Sequence, residues 1–415
     1  MISYIALAAL ILTIILGVKT KLNIGIIAIG VAFVLGLVMN IPDSIIIAGF
    51  GTSLFIMLFG VMFMFGVAQV NGTIELLAKK IVFFTGRKAN LIPLSLYFVG
   101  VFVAAIGPGT IPTLLILGVF SVALAKELEM EPVMLGSIAF YGSMTGGLSP
   151  IAATGIIGNQ LATAIHVMNA DIHFALSTLI ATFVSSLIIY FLYKGYALKI
   201  SIDMERYELA PFNKIQKITL LGIIFLVFMV IFLKANVGLA AFAIGVCLIL
   251  LGCATEKEVM GSIAWGTIIL VCGMGVLMGV ISKLGGISLL SDILASMMTP
   301  AIAGAVMTLA ASVLSFVSSA SGVIMPTLIP TIPDILQNVA GNTTAIELIS
   351  AVIAGAHVGG LSPLTGGALL LSAYGTIYKP SNDEIQKMYL TLFKLTFICT
   401  IGGVILALLG IYRIV

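Results

Sequence analysis

Apolar runs alternate with short polar stretches along the whole chain. Most runs hold about 15–20 apolar residues, close to the length that a helix needs to cross a hydrocarbon core. The pattern predicts five crossings and one Gly/Pro-interrupted hairpin on either side of a polar linker at 201–216. The predicted crossings are 2–18, 24–41, 53–70, 133–168, 172–193, 217–233, 237–252, 265–282, 345–378 and 388–410, and the predicted hairpins are 91–125 and 301–340.

Composition agrees with a bilayer environment. Of 415 residues, 61% are hydrophobic and 8% are charged, whereas soluble domains carry about 25% charged residues. The net charge of +3 gives no indication of a nucleic-acid partner, and the four cysteines lack the spacing of metal ligands. The first run, 2–18, has neither a basic segment before it nor a small-residue cleavage site after it, so we expect a retained span. The sequence predicts an all-α integral membrane protein with no metal or cofactor.

Short motifs recur along the chain at nearly one offset. Gly-Gly-Leu-Ser-Pro stands at 146–150 and again at 359–363, and 359 − 146 = 213. The other matches are 23–25 with 236–238, Gly60 and Gly66 with Gly273 and Gly279, 112–114 with 326–328, and 51–52 with 266–267. Ordered matches of this kind indicate duplication. We expect a first repeat at 1–200, a linker at 201–216 and a second repeat at 217–415.

Charge predicts the topology. If the N-terminus lies outside, most of the 19 basic residues fall on the cytoplasmic side, including the clusters Lys79-Lys80 and Arg87-Lys88, as the positive-inside rule requires. Because five crossings is an odd number, the second repeat then starts from the opposite face, which makes the repeats inverted. The second arm of the first hairpin is shorter than a full crossing, so we expect re-entrant hairpins. The linker would be cytoplasmic, and the membrane a bacterial inner membrane.

Glycine, proline, serine and threonine interrupt the apolar runs at four places. Two are the hairpin tips, 107–113 and 318–322, and two are breaks in long spans, 145–150 and 359–367. Freed backbone groups at membrane depth are costly unless they face protein or a polar cavity. Four breaks at repeat-related positions therefore predict one shared cavity, with Pro150 and Pro363 in the first turns of new helices.

A cavity of this kind suits an anion and a cation together. Helix N-termini hold a carboxylate without arginine, and released carbonyls with hydroxyls suit Na⁺. The candidate substrate-binding residues are Gly109, Thr110, Thr145, Gly147, Ser149, Ser319, Ser321, Gly360, Ser362 and Thr365. The candidate cation-binding residues are Gly107, Thr110, Gly146, Ser149, Ser318, Gly322, Gly359 and Ser362. Packing kinks are the alternative interpretation of such breaks.

Few other polar residues lie within the apolar runs. His357, whose repeat counterpart is Met144, is a candidate for proton coupling or substrate binding, or else a neutral histidine bonded to backbone. Asn159 is a candidate for the cavity or for an interhelical bond. Gln69 and Asn71 end the third crossing, where a helix-terminal or interhelical role is expected.

These motifs resemble those of the MatC-type malonate and dicarboxylate carriers, within the ion-transporter superfamily that includes the divalent-anion/sodium symporters. The similar segments are 67–74, 146–150 with 158–160, 236–238, and 362–363 with 366–368. The resemblance implies a homodimer and an elevator mechanism. It implies scaffold helices at about 1–70 and 217–282, and transport elements at about 91–170 and 301–378. The sodium symporters carry Ser-Asn-Thr at both tips, whereas neither tip here has an asparagine, so Na⁺ and H⁺ both stay open as the coupling ion.

The sequence favours a secondary active transporter of a small dicarboxylate, of the malonate or C4 class, coupled to a cation. A carrier of another organic or inorganic anion, such as a sugar acid, is the main alternative. A sodium/proton antiporter usually needs ionisable groups at depth, and this chain has little beyond His357. An enzyme would need a nucleophile–base set or metal ligands, and an ATP-driven pump a P-loop; neither pattern occurs.

Overall fold

The computed structural model describes residues 1–84, 89–198, 210–339 and 341–414, and its regular elements there are all helices. Arg87, Lys88 and residues 201–209 of the predicted linker lie outside these ranges. The helices of the first half are α1 (Ile2–Thr20), α2 (Ile24–Met39), α3 (Asp43–Ala48), α4 (Thr52–Val70), α5 (Thr73–Phe84), α6 (Ile92–Ala105), α7 (Thr110–Glu127), α8 (Pro132–Gly146), α9 (Ala153–Ala164) and α10 (Asp171–Leu192).

The second half has a similar order of helices, but the second arm of its hairpin is divided and a short helix follows its last long helix. Its helices are α11 (Lys214–Ile231), α12 (Val237–Leu250), α13 (Glu256–Ser262), α14 (Trp265–Lys283), α15 (Gly286–Ser296), α16 (Ala303–Ser315), α17 (Met325–Leu328), α18 (Ile332–Asn338), α19 (Ala345–Gly359), α20 (Gly367–Tyr378), α21 (Asn382–Leu408) and α22 (Ile411–Ile414). A π-turn at Ala320–Ile324 precedes α17. The helix α11 begins inside the predicted linker, because Asn213 and Gln216 form a capping box there.

The all-helical membrane fold predicted from the sequence is confirmed. Within the described residues, six helices are long and apolar enough to cross a membrane. One of them is α7, the second arm of the first hairpin, so the prediction that this arm is shorter than a full crossing is wrong. The predicted crossings at 24–41 and 237–252 are shorter helices, α2 with 16 residues and α12 with 14. In the second hairpin, Ala303–Ser315 and Ala320–Asn338 are bent by 120° at the tip.

Two pairs of helices were not predicted. The short helices α3 and α13 precede the third crossing of each half, and the amphipathic helices α5 and α15 follow it. They lie between the predicted crossings and hairpins, where the sequence pattern predicted no element. On α5, Glu75 and Lys79 lie one turn apart and form an ion pair at 2.6 Å. A solvated face of this kind is typical of a helix at the edge of the apolar layer.

Glycines set the crossing of the early helices. Gly25 of α2 contacts Gly273 of α14, and Gly238 of α12 contacts Gly60 of α4, so closely that a Cβ at these positions would overlap backbone of the facing helix. These are the same glycines that match at an offset of 213. Each crossing joins one half of the chain to the other, so the four helices form one interlocked unit.

A second set of glycines fastens each hairpin to a broken span. Gly142 lies against the Tyr97 carbonyl on α6, and its repeat counterpart Gly355 lies against the Thr308 carbonyl on α16. The Ser312 hydroxyl of α16 donates to the Gly355 carbonyl at 2.8 Å. The helices α10 and α21 pack on α8 and α19. The unit formed by the hairpins and broken spans therefore extends beyond the elements predicted at 91–170 and 301–378.

Candidate functional site

One cavity of about 390 Å³ lies where both hairpin tips and both broken spans meet α4 and the start of α14. Seven of the candidate binding and proton-coupling residues line it: Thr110, Ser318, Ser319, Ser321, His357, Gly360 and Thr365. Among the described residues, its wall contains no Asp, Glu, Lys or Arg. The volume is within the usual range for small-molecule sites.

The first tip presents a helix N-terminus to this cavity. Gly109 precedes α7 with φ of 79°, a conformation that glycine adopts without strain, and no described side chain caps the helix. The Thr110 hydroxyl oxygen is buried and has no hydrogen-bond partner within the described residues. Gly147 of the first break lies so close to this oxygen that a Cβ would overlap it. Thus Gly147 shapes the wall through Thr110 and does not line it.

The second tip presents hydroxyls. Ser318 is 4% exposed, and its Oγ likewise has no partner in the described part of the chain. The Ser319 Oγ accepts from the Gly322 N–H at 3.1 Å and caps the π-turn. Ser321 is half-buried at the wall. A buried hydroxyl without a partner is costly. Of the described residues with such a hydroxyl, Thr110 and Ser318 are the ones that line the cavity, where a ligand could bond to both.

The first break exposes a second uncapped helix start. α8 ends at Gly146, turns follow, and α9 begins at Ala153 with no side-chain cap among the described residues. Ala153 and Thr154 line the cavity. The prediction for Pro150 is wrong: it stands three residues before α9, and Pro363 stands four residues before α20. In both breaks the proline lies in the turn between the two helices of the broken span.

The second break is tied to the second hairpin by its own hydroxyls. Ser362 is fully buried, and its Oγ donates to the Phe316 carbonyl at 2.7 Å. Thr365 donates to the Ser315 carbonyl at 3.1 Å while also lining the cavity. Ser362 therefore holds the tip in place from behind the wall, and its hydroxyl is already in use.

Several other candidates lie outside the wall for identifiable reasons. The Thr145 hydroxyl lies 2.6 Å from that of Thr182 and 3.2 Å from that of Tyr97, in a buried interhelical cluster. Gly146 and Gly359 pack against the carbonyls of Val101 and Ser312.

The remaining candidates also point elsewhere. Gly107 lies against the ring of Phe65 on α4, and Gly322 against Leu270 on α14. Ser149 and Asn159 are half-buried and do not line the cavity.

His357 is 1% exposed and lies at the wall. Its Nδ1 is 2.6 Å from the Ile353 carbonyl, one turn back on α19. The backbone bond expected of a neutral histidine is therefore present, and the side chain still borders the cavity.

Sequence reasoning missed part of the wall. Gln69 lines the cavity from α4, although its position at a helix end suggested a structural role. Thr267 lines it from α14, and the repeated Gly-Thr pair at 51–52 and 266–267 was an available signal. Asn71 has the interhelical role expected of it, since its Nδ2 donates to the Thr219 hydroxyl at 2.8 Å. Within the described residues, no group of three or more His, Cys, Asp or Glu could hold a metal ion.

Comparisons with known proteins concern the family and the fold. Residues 1–147 match the family described as dicarboxylate carrier protein MatC N-terminus. The YdaH transporter of Alcanivorax borkumensis has a similar structure, with TM-score 0.61 and 13% identity over 88% of this chain and 87% of that one. MtrF of Neisseria gonorrhoeae, described with a class of antimetabolite efflux pumps, has TM-score 0.55 and 15% identity over 88% and 82%. No curated protein sequence matches. The chain has the fold of an integral membrane protein built from apolar helices, and its first 147 residues match the N-terminal family of the MatC dicarboxylate carriers.

Proposed function

We propose that this chain is a cation-coupled secondary transporter of a small dicarboxylate, of the malonate or C4 class. The observation that carries the proposal is the uncharged cavity at which both hairpin tips meet both broken spans. The dicarboxylate class comes from the family matched by residues 1–147. Likeness to YdaH and MtrF supports the fold alone.

The first half of the chain would hold the anion. The starts of α7 and α9 both border the cavity without a side-chain cap in the described residues. A helix start carries free N–H groups and a partial positive charge, and the Thr110 hydroxyl adds a donor that has no other described partner. This donor set suits a carboxylate and needs no arginine.

The second half would supply the oxygens for a cation. Ser318, Ser319 and Ser321 line the wall of the second tip, and hydroxyl and carbonyl oxygens are the ligands that Na⁺ prefers. His357 lies at the same wall and offers a proton site as the alternative. Coupling to Na⁺ or H⁺ is part of the proposal.

Packing supports an elevator movement. The hairpins are fastened to α8 and α19 by backbone contact at Gly142 and Gly355, whereas the tips meet the early helices through the side chains of Phe65 and Leu270. Interdigitated backbones resist separation, and side-chain contacts slide more easily. We propose that the early helices form a fixed scaffold within a homodimer in a bacterial inner membrane, with the N-terminus outside and the 201–216 linker cytoplasmic.

Uptake into liposomes tests the proposal. Purified protein should accumulate labelled malonate or succinate when a Na⁺ or H⁺ gradient is imposed. If a labelled sugar acid or inorganic anion is accumulated and the diacids are not, the alternative substrate is favoured. Na⁺/H⁺ exchange without any organic acid would favour an antiporter. Absence of diacid transport under every gradient would refute the proposed substrate class.

A matched pair of serines tests the site. Ser318→Ala removes a buried hydroxyl that has no described partner, so the ligand-free protein should keep or gain thermal stability while diacid affinity falls by about tenfold. Ser312→Ala removes a hydroxyl bonded to the Gly355 carbonyl, so the ligand-free protein should lose about 1 kcal/mol of stability. If Ser318→Ala leaves affinity unchanged, the second tip does not contact substrate or cation.

A further inference from the structure

The bond on one side of the His357 ring determines what the other side offers. A carbonyl only accepts, so at 2.6 Å from the Ile353 carbonyl the Nδ1 atom must carry a hydrogen. In the neutral ring the hydrogen is then absent from Nε2, which is left with a lone pair. Within the described residues, no group bonds Nε2. The neutral side chain therefore brings an acceptor, and not a donor, to the cavity.

An ionised carboxylate is also an acceptor only. A dicarboxylate dianion cannot bond to Nε2 of the neutral ring, because two lone pairs would face each other. A proton on Nε2 resolves this and forms a charge-assisted N–H···O bond between imidazolium and carboxylate. In the empty cavity the same proton would be a buried charge without a counter-charge, which is costly.

Groups near His357 do not supply that counter-charge. Tyr141 of α8 contacts the residue next to His357, since its hydroxyl donates to the Val358 carbonyl at 3.1 Å. Cys399 of α21 lies against the Ser185 carbonyl, and the charged pair of Glu347 with Arg413 is at the opposite end of α19. The other titratable groups on helices packed against α19, none of which lines the cavity, are Asp171, His173, Tyr190, Asp334, Asp383, Glu384, Lys387, Tyr389, Lys394 and Tyr412.

We propose that His357 is the coupling site for a proton, which enters the cavity together with the dicarboxylate and makes this chain a proton-coupled carrier. The inference rests on the proposed function. One proton is taken from water on the side where the dianion binds, it sits on Nε2 during the crossing, and it returns to water when the diacid leaves. The pair carries one net negative charge across, and no other reactant is consumed.

Proton uptake on binding is the direct test. The wild-type chain in detergent is titrated with malonate or succinate by calorimetry, without sodium, in two buffers of different ionisation enthalpy. About one proton should be taken up per diacid, and between about pH 7 and pH 8.5, where the diacid and free histidine are deprotonated, affinity should fall about tenfold per pH unit. Binding with no proton uptake and no pH dependence would overturn the inference while leaving the proposed function intact.

Variants assign the proton to a residue. His357→Gln and His357→Asn offer an amide N–H without a proton from water. Proton uptake on diacid binding should therefore fall close to zero in whichever variant keeps the thermal stability of wild type. His166→Asn is the control, because His166 is exposed with φ of 62°, a conformation that asparagine tolerates; it should take up the wild-type number of protons. If a folded His357 variant still takes up the wild-type number of protons, the proton is not bound at His357. If wild type binds no dicarboxylate at all, the proposed function fails with it.

Discussion

Two glycines of one helix should respond to the same substitution in opposite directions. Gly25 and Gly30 both lie in α2, near its start and in its middle. A Cβ at Gly25 would lie 2.6 Å from the Leu270 Cα of α14 and would overlap the Ile269 carbonyl. A Cβ at Gly30 would meet nothing within 4 Å. The two sites differ in packing while sharing a helix.

The magnitudes follow from these distances. Ordinary Cβ contacts begin near 3.4 Å, and a Cβ at Gly25 would lie 2.6 Å from the Leu270 Cα. Gly25→Ala must therefore push α14 away from α2. Overpacking of this kind costs about 1–3 kcal/mol. Gly30→Ala removes backbone freedom from the unfolded chain at no steric cost and should stabilise by about 0.5–1 kcal/mol.

Thermal unfolding of the detergent-purified variants measures both effects. Gly25→Ala should unfold at a lower temperature than wild type, and Gly30→Ala at an equal or higher temperature. Gly238→Ala should behave like Gly25→Ala, because its Cβ would lie 2.5 Å from the Met57 Cα of α4. If Gly25→Ala and Gly30→Ala shift the unfolding temperature equally, close backbone approach does not hold α2 against α14.

Three further substitutions test other parts of the structure. Arg413→Met leaves the buried Glu347 without its ion pair at 3.0 Å. It should lower the free energy of unfolding by about 2–3 kcal/mol, between the values for exposed and for buried pairs. The double variant with Glu347→Met should recover part of this loss in thermal unfolding. Gln69→Leu removes an amide from the cavity wall and should weaken diacid binding about tenfold with little change in stability, and unchanged affinity in calorimetry would remove Gln69 from the site. Desolvation raises the pKa of Glu131, although a hydrogen bond from the Val133 backbone acts in the opposite direction. Because this side chain is exposed, Glu131→Gln should raise the unfolding temperature at neutral pH only slightly, and the gain should vanish below the ordinary glutamate pKa of about 4.3.

The positions of the breaks could be predicted because glycine and proline act locally. The interruptions near 107 and 318 became hairpin tips and those near 146 and 359 became broken spans, as backbone chemistry requires. The side of the helix on which each polar residue faces could not be predicted in the same way. Ser362 and Thr145 have the residue type of a ligand, but tertiary packing turns their hydroxyls toward Phe316 and Thr182.

Glycine was ambiguous for a further reason. A glycine that frees backbone for a ligand and a glycine that admits a neighbouring helix are the same residue in a sequence. Gly360 borders the cavity, whereas Gly359, its neighbour, lies against the Ser312 carbonyl. Only the rotation of α19, set by its packing on α16, separates the two roles.

The two halves share the glycines of their helix packing more closely than they share the polar residues of the cavity. The glycines that set helix crossings recur at one offset, and Gly142 with Gly355 makes the same contact in both halves. The tips do not recur: the first is Gly-Pro-Gly-Thr before an uncapped helix, and the second is a serine-rich turn capped by Ser319. Met144 likewise stands where the second half has His357. Because a symmetric frame would offer two equal half-sites, these differences are what the proposed function requires: one half would hold the anion through helix starts, and the other half would bind the coupling cation.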